Sequence, residues 1–442
     1  MSTRMPAYRL LIKSAKQVVQ VTNNGSRMLY GIDMSRVAVL ESSTSQGFSI
    51  VVDNDGIIVD IDTDDVIMKK YREETFQNVI EATGKSVIPG LVDGHTHPVW
   101  AGDRVHEFEM KLAGATYMEV HDAGGGIHFT VNHTCEATED KLHTLFQSRL
   151  KAMARAGTTL VECKSGYGLD TENEMKMLRV IDRGKKLGGI DISSTYCGAH
   201  AIPKNKTASE ATKDVLENQI PAIKSQIDDQ NLSVDNIDVF CEKGVFDVQQ
   251  SRDILNAGKQ IGLNINFHGD ELNPLGSAEM GAEIGATAIS HLEEISDNGI
   301  LAMARSKTIA VILPTTAYIL RLKPPPVRQM IDTGVPVALG SDFNPNAYCL
   351  SMPTVMHLAC VNLKMSMSEA LCAATINSAA SLGRSDTHGS IEKGKLANLV
   401  IIDSPKWQHI IYELGCHSEI ISYVIWHGEV VHSKRTLNTS IL

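Results

Sequence analysis

The chain has 442 residues, of which 43% are hydrophobic and 21% charged, and its formal net charge is −11. This length predicts two to three domains, and the negative charge argues against a surface that binds nucleic acid or anionic membranes. No run reaches the roughly 18 apolar residues of a membrane span, and no leader peptide is recognisable. The eight cysteines are dispersed without CxxC pairs, which favours a reducing compartment. We therefore expect a cytoplasmic protein.

The first 85 residues are predicted to form short strands. The segments VAVLE (37–41) and FSIVVDNDGIIVDI (48–61) are rich in β-branched residues. Asp55-Gly56 interrupts the second segment, and this dipeptide is a strong signal for a hairpin turn.

From Ser86 onward, short apolar runs alternate with longer helical patterns, which is typical of repeated β-then-α units and a parallel sheet. Eight such units close a barrel, whereas a doubly wound open sheet normally has fewer units and one switch point. The runs are SVIPGLVDGHTH (86–97), GTTLVECKSG (157–166), DISSTYCGAH (191–200), IDVFCEKG (237–244), GLNINFHGDE (262–271), ATAISHLEE (286–294), IAVILPTT (309–316) and VPVALGSD (335–342).

The tail returns to strand-like sequence after a predicted helix over 367–383. It contains GSIEKGKLANLVIID (389–403) and ISYVIWHGEVVH (421–432). Each β-rich end is too small to bury a good core alone, so we expect the two ends to pair. The predicted fold is α/β: a (β/α)₈ TIM barrel over 86–385 beside a composite β-sandwich built from 1–85 and 386–442.

Titratable side chains mark the carboxyl ends of five of the eight runs, where barrel enzymes carry their functional groups. Imidazole nitrogens combined with a carboxylate favour Zn²⁺ or Fe²⁺ over Mg²⁺ or Ca²⁺. A metal held there would lower the pKa of a bound water towards about 7 and so favour hydrolysis. The residues concerned are His95, His97, His200, His268, His291 and Asp342.

Three of the acidic and basic groups suggest individual chemical roles. Asp342 can ligate a metal and also accept the proton of the attacking water. Glu271 lies three residues after His268, where it could deliver a proton to a leaving nitrogen. His291 could polarise a substrate carbonyl.

These motifs resemble those of the amidohydrolase superfamily over essentially the whole chain. VIPGLVDGHTH near the start of the barrel and GSIEKGKLANLVIID in the tail carry the resemblance. One departure is Asn398, which stands where such families usually have Asp. The resemblance implies a composite β-sandwich beside the barrel.

Within the superfamily, five motifs in order are similar to those of the imidazolonepropionase family. They are HTHPVWAGDR (95–104), VECKSGYGLD (161–170), YCGAHAIP (196–203), HGDE (268–271) and SDFNP (341–345). The resemblance implies hydrolysis of the ring C–N bond of 4-imidazolone-5-propanoate to N-formimidoyl-L-glutamate, in histidine degradation. It also implies a homodimer.

The same resemblance assigns the site residues. It implies one divalent metal per chain, Zn or Fe, with the ligands His95, His97, His268 and Asp342. It implies catalysis by Glu271, His291 and Asp342, and substrate binding by Arg104, Tyr167, His200, Glu271 and Asn344. Arg104 suits the carboxylate of the substrate, because a guanidinium is a permanently charged, forked donor. Asn346 stands where bacterial members often have Gly.

The sequence is also compatible with other metal contents and other functions. Lys243 near the end of the fourth run could be carboxylated and hold a second metal, although the pattern of His268 and Glu271 favours a mononuclear centre. A deaminase acting on a cyclic amidine such as guanine or cytosine would keep the metal set but would not need Arg104. A non-catalytic scaffold would be expected to lose ligands. The glycine run 124–126 is predicted to form a loop over the barrel mouth.

Overall fold

The computed structural model describes residues 6–43, 46–114 and 125–434. Its strands form three sheets of four, eight and six strands. The strands are β1 (Tyr8–Ala15), β2 (Gln17–Val21), β3 (Ala38–Glu41), β4 (Phe48–Val52), β5 (Ile58–Thr63), β6 (Phe76–Glu81), β7 (Ser86–Pro89), β8 (Leu91–Asp93), β9 (Thr158–Lys164), β10 (Asp191–Ala199), β11 (Asn236–Cys241), β12 (Asn264–Gly269), β13 (Ala288–His291), β14 (Ile309–Ile312), β15 (Val337–Leu339), β16 (Leu399–Ile402), β17 (Ile421–Trp426) and β18 (Glu429–Ser433).

The eight-stranded sheet is the predicted barrel. Strands β8 to β15 lie side by side in chain order, and each pairs with its neighbour in parallel. The first and last strands meet just beyond their ends, where the amide of Asp342 donates to the carbonyl of His95 at 3.0 Å and the amide of His97 donates to that of Phe343 at 2.8 Å. Barrel closure therefore brings the segments after β8 and β15 together.

The first predicted run is divided between two sheets. Ser86–Pro89 pairs with β16 and β2 outside the barrel, and only Leu91–Asp93 is a barrel strand. Gly90 separates them, and a Cβ there would lie 2.0 Å from the hydroxyl of Thr159. Glycine is required because the chain passes too close to β9 for any side chain. The exact division of domains at residues 85 and 386 stays a prediction.

The other two sheets combine both ends of the chain, as predicted. The four-stranded sheet has the order β5-β4-β1-β6, and the six-stranded sheet has the order β18-β17-β16-β7-β2-β3. One apolar core contains residues from both sheets and from both chain ends, including Ile12, Ile50, Val87, Leu399 and Ile401. The tail contributes three strands to the six-stranded sheet, namely β16, β17 and β18. The hairpin expected at Asp55-Gly56 joins β4 to β5 in antiparallel register.

Helices fill the connections of the barrel and cover its outer face. The predicted helix at 171 runs over Thr171–Lys185, and the one at 367 continues from Met367–Cys372 through a π-turn to Ser381. The remaining helices are Asp64–Lys70, Val105–Leu112, Ile127–Glu136, Glu139–Arg155, Ala208–Asp214 continuing as a π-turn (Val215–Gln219) into Ile220–Asp228, Val248–Gln260, Ser277–Ile284, Asp297–Ser306, Pro314–Leu320, Val327–Thr333, Met352–Leu363, His409–Tyr412 and His417–Ile420, with a 3₁₀ turn at Gly31–Ser35.

The loop proposed over the barrel mouth includes residue 124, which lies outside the described residues. Among the helices of the described ranges, none combines the length and the apolar character needed to cross a bilayer.

Candidate metal centre

Three histidine side chains converge at the carboxyl ends of the barrel strands. His95 and His97 follow β8, and His268 lies in β12. The Nε2 atoms of His95 and His97 are 3.3 Å apart, and those of His97 and His268 are 3.2 Å apart. All three rings are buried. Three imidazole nitrogens that face one another at this spacing match the separation of ligands around one ion.

Asp342, three residues beyond the end of the last barrel strand, completes this group. Its Oδ1 lies 3.5 Å from Nε2 of His95 and 3.7 Å from Nε2 of His97. The Thr316 hydroxyl donates to its other oxygen at 2.5 Å. The backbone of Asp342 has φ +48°, a left-handed conformation that costs a non-glycine residue energy and is common at functional sites.

The donor set fits a borderline divalent ion such as Zn²⁺ or Fe²⁺. Burial lowers the pKa values of the three histidines, that of His268 to about 3, so the rings are neutral at pH 7. Neutral imidazole is the form that binds a metal. Nδ1 of His95 contacts the Ser290 hydroxyl at 2.8 Å, which leaves Nε2 directed into the centre.

A buried ionic network lies behind His268. Oδ1 of Asp238 accepts a hydrogen bond from Nδ1 of His268 at 2.8 Å, and its Oδ2 accepts one from Nζ of Lys164 at 2.6 Å. Lys164 also pairs with Glu162 at 2.8 Å. Burial alone would raise the pKa of Asp238, but His268 and Lys164 outweigh it and hold the pKa at about 2. Asp238 is therefore an ionised group that fixes the tautomer of His268.

His291 lies between two buried carboxyl groups. Its Nε2 is 3.6 Å from Glu271 and its Nδ1 is 3.7 Å from Glu293. Burial raises the pKa of Glu271 to about 7. Burial lowers the pKa of His291, but the carboxyl groups of Glu271, Glu293 and Asp342 together outweigh it and raise the pKa to about 10. His291 and Leu292 both have positive φ, +78° and +68°, so the end of β13 is strained where this ring enters the site.

Two aromatic side chains line the opposite wall of the site. The ring of His200 stacks on that of His97, with centroids 4.6 Å apart and an interplanar angle of 11°. The Tyr167 ring lies 5.9 Å from His97 and 5.4 Å from His200. Nδ1 of His200 contacts the carbonyl of Gly166 at 3.0 Å, so its Nε2 is left for another partner.

Arg104, the guanidinium predicted to bind substrate, is paired with a neighbouring carboxylate. Its Nε and Nη2 donate to the two oxygens of Glu107, both at 2.7 Å. Glu107 is buried and also accepts from the amide of Gly126 at 2.9 Å. Among the described residues, Arg104 uses two of its five N–H groups in this way, so within this part of the chain the edge formed by Nη1 and Nη2 can receive another carboxylate.

The other predicted residues have different surroundings. Asn344 is engaged within its own loop: it donates to the Asp342 carbonyl at 2.7 Å and accepts from the amide of Asn346 at 2.7 Å. The side chain of Asn346 accepts a hydrogen bond from Lys111. Lys243 is exposed, unlike the buried histidines, and the buried lysine of this region is Lys164.

Sequence reasoning missed Lys164, Asp238, Glu107 and Glu293. Asp238 was detectable in principle, because it lies in a barrel strand and points to the same side as other functional groups. Its partner His268 is 30 residues away, however, and no sequence spacing predicts that contact. Glu107 was hidden for another reason, since an acidic residue in the first turn of a helix is ordinary.

Comparison with known proteins gives relatives of the whole chain. The sequence model of the amidohydrolase family matches residues 86–431. Curated relatives named "Probable imidazolonepropionase" include that of Nematostella vectensis, 61% identical over 96% of this chain and 99% of the relative. Those of Danio rerio (61%) and Homo sapiens (60%) cover 97% and 96% of this chain and 98% and 99% of their own.

Solved structures share the fold at lower identity. A guanine deaminase from C. acetobutylicum with bound guanine superposes with a TM-score of 0.70 at 18% identity, covering 96% of this chain and 99% of its own. An adenosine deaminase from Xanthomonas campestris with bound zinc gives 0.70 at 18%, covering 98% and 96%. At this identity the similarity establishes the architecture alone.

Proposed function

The chain belongs to the amidohydrolase family, and from this premise we propose that it hydrolyses the ring C–N bond of 4-imidazolone-5-propanoate, giving N-formimidoyl-L-glutamate in histidine degradation. It is a metal-dependent hydrolase of C–N bonds. The observation that carries the substrate assignment is the identity of about 60% to imidazolonepropionases along nearly the full length of both chains.

His95, His97, His268 and Asp342 would hold the metal. Their support is the convergence of three buried Nε2 atoms on one point with a carboxylate oxygen 3.5 Å from one of them. A divalent ion supplies Lewis acidity, which activates water and polarises a carbonyl. We propose one ion per chain, Zn²⁺ or Fe²⁺, because the ligand types suit these metals.

The proton transfers would be divided among three residues. Asp342 accepts the proton of the attacking water, whose oxygen becomes part of the new carboxylate. Glu271 delivers a proton to the ring nitrogen as the C–N bond breaks, a role that its raised pKa suits at neutral pH. His291, whose pKa is raised by the carboxyl groups around it, including Glu293, donates a hydrogen bond to the oxygen on which negative charge develops.

Substrate recognition would use the wall opposite His291. The edge of Arg104 formed by Nη1 and Nη2 binds the propanoate carboxylate, and the buried Tyr167 and the partly buried His200 contact the ring or the tail. Asn344 is proposed to contact the product, which requires its amide to exchange a loop hydrogen bond for one to the ligand.

The decisive experiment is a ring-opening assay with the purified chain. We expect loss of ring absorbance with imidazolonepropanoate, no reaction after removal of metal by a chelator, and recovery when Zn²⁺ or Fe²⁺ is returned. Guanine and cytosine serve as the comparison, and turnover of either in place of imidazolonepropanoate would reject the proposal in favour of a deaminase. Arg104→Ala should raise KM for imidazolonepropanoate, since the carboxylate loses its charged donor.

The catalytic assignments are tested by two conservative substitutions. Glu271→Gln and Asp342→Asn keep the size of each side chain but remove the transferable proton or the acceptor. We expect kcat to fall at least about 100-fold in each, the usual size of a general acid–base contribution. Near-normal turnover in either variant would remove that residue from the mechanism.

We also propose a cytoplasmic homodimer. All eight cysteines are free in the structure, as expected in a reducing compartment. Sedimentation of the purified chain should give twice the mass of one chain, and a monomer would contradict the dimer. Fractionation of cells should recover the protein in the cytosolic fraction, and recovery elsewhere would contradict the location.

A further inference from the structure

A second group of imidazole and carboxylate side chains lies outside the candidate active site. Asp191 is the first residue of β10. Its Oδ2 is 2.8 Å from Nε2 of His388 and 2.9 Å from Nε2 of His427. The ligand atoms of these three residues all lie within 4.8 Å of one another.

This group lies at the opposite end of the barrel from the candidate active site. Strand β10 has nine residues and runs from Asp191 to Ala199, directly before His200. At about 3.3 Å per residue, the two ends of this strand are roughly 26 Å apart. The two clusters cannot share an ion.

Neighbouring groups orient both imidazole rings towards Asp191. Nδ1 of His388 contacts the Thr387 hydroxyl at 2.8 Å, which leaves Nε2 for Asp191. The ring of His427 is stacked on the Trp426 ring, with centroids 4.1 Å apart and an interplanar angle of 16°. A hydrogen bond to the second ring nitrogen, as His388 has, is the contact that fixes ring orientation around bound metals.

Asn398 connects the side chain of Asp191 to the backbone of His427. Its amide nitrogen is 3.3 Å from Oδ2 of Asp191, and its oxygen accepts the backbone amide of His427 at 2.9 Å. Among the described residues, the hydrogen bonds of the Asp191 side chain all involve Oδ2. If the two histidines only formed ion pairs with Asp191, each imidazole could contact a different carboxylate oxygen. Here the Nε2 atoms of both rings contact the same oxygen.

We propose that Asp191, His388 and His427 bind a divalent transition-metal ion, Zn²⁺ by ligand type. Two imidazoles and a carboxylate are suitable ligands for this ion, and the ligand atoms of these three side chains lie within 4.8 Å of one another, close enough to share one ion. His388 is buried, while Asp191 and His427 are 24% and 27% exposed, so an ion can reach the site and water can complete its shell.

The ion would connect the tail to the barrel. Asp191 belongs to a barrel strand, His388 to the segment before β16, and His427 to the turn between β17 and β18. Because a ligand that binds only the folded state stabilises it, this site is expected to raise the unfolding temperature and to leave the ring-opening chemistry unchanged.

The test is a Zn²⁺ titration of the metal-free full-length chain, read by native mass spectrometry. We expect two Zn²⁺ ions per wild-type chain. His388→Ala and His427→Ala should each bind one ion and keep ring-opening activity, whereas His95→Ala should bind one ion and lose activity. His432→Ala, a substitution in the adjoining β18, is the control and should bind two.

One Zn²⁺ per wild-type chain that is lost in His95→Ala and kept in His388→Ala would overturn the proposal, and so would two ions in His388→Ala. If a histidine variant does not fold, Asp191→Asn replaces it. Addition of Co²⁺ to His95→Ala gives an independent reading, since a second site with two imidazoles should produce a visible absorption band. Absence of that band in a folded His95→Ala chain would also count against the site.

Discussion

At the scale of single residues, the buried carboxylate of Asp238 is the support of one proposed metal ligand. It accepts the Nδ1 proton of His268 and is itself held by Lys164. Asp238→Asn keeps the shape of the side chain but removes its negative charge. The NH2 group of the new amide can also face Nδ1 of His268 in place of an accepting oxygen. We expect metal affinity to fall about 10- to 100-fold, the usual effect of losing such a partner, as measured by competition with a chelator.

The control for Asp238 is Asp229→Asn, a substitution at an exposed position. It should leave the metal affinity at the wild-type value. Unchanged affinity in Asp238→Asn itself would mean that packing alone holds the ring of His268.

Glu107 has the corresponding role for Arg104. Its two oxygens bind one edge of the guanidinium and so fix the direction of the other. Glu107→Gln should raise KM for imidazolonepropanoate about tenfold, because a guanidinium that is held less firmly binds the substrate carboxylate less well. Steady-state kinetics with an imidazolone that lacks the propanoate should show no such change.

A matched substitution in the same helix is Glu109→Gln, at an exposed position, and its KM should equal that of the wild type. Equal losses for both imidazolones in Glu107→Gln would indicate a general disturbance of the site and would contradict this role.

At the scale of elements, Asp60 connects strand β5 to the tail. Its carboxylate pairs with Lys393 and Lys70. Burial would raise the pKa of Asp60, but these two ammonium groups outweigh it and lower the pKa to about 2. The ionised form is therefore favoured by folding, and this stabilisation is present above the ordinary pKa near 4 and is lost as the pH falls towards 2.

We therefore expect Asp60→Asn to unfold at lower urea concentration than the wild type at pH 7, with a difference that shrinks between pH 4 and pH 2. Urea unfolding across this range measures it. Asp62→Asn is the control on the same strand, because no ion pair within the described ranges involves Asp62. A difference for Asp60→Asn that does not vary with pH would show that the pairing contributes nothing.

At the scale of the whole molecule, the two ends of the chain share one core. Ile401 in β16 is fully buried in the cluster that also contains Ile12 and Ile50 from the N-terminal strands. Ile401→Ala should lower the free energy of unfolding by about 2–5 kcal/mol, because it removes buried methyl groups and leaves a cavity. Chemical denaturation with tryptophan fluorescence provides the measurement.

Val431→Ala in the edge strand β18 is the comparison for Ile401→Ala, since Val431 is 37% exposed. This substitution should lower the free energy of unfolding by well under 1 kcal/mol. Equal effects at the two positions would contradict a shared core.

The barrel, the composite sheet domain and the histidine-rich strand ends could all be predicted from the amino-acid sequence. Eight apolar runs with helical patterns between them are local signals, and a closed parallel barrel forces the ends of those runs to one mouth. For this reason His95, His97 and His268 could be assigned to one place before any coordinates were known.

The residues that support those histidines, and the point at which the chain changes sheet, could be identified only from the folded chain. Ser86–Pro89 and Leu91–Asp93 read as one run, because membership of a sheet depends on partners that are hundreds of residues away. The contacts of Asp238 with His268, of Arg104 with Glu107 and of Asp191 with His427 are likewise set by packing in space. Sequence periodicity predicts which face a side chain takes, but packing between distant segments decides which side chain it meets.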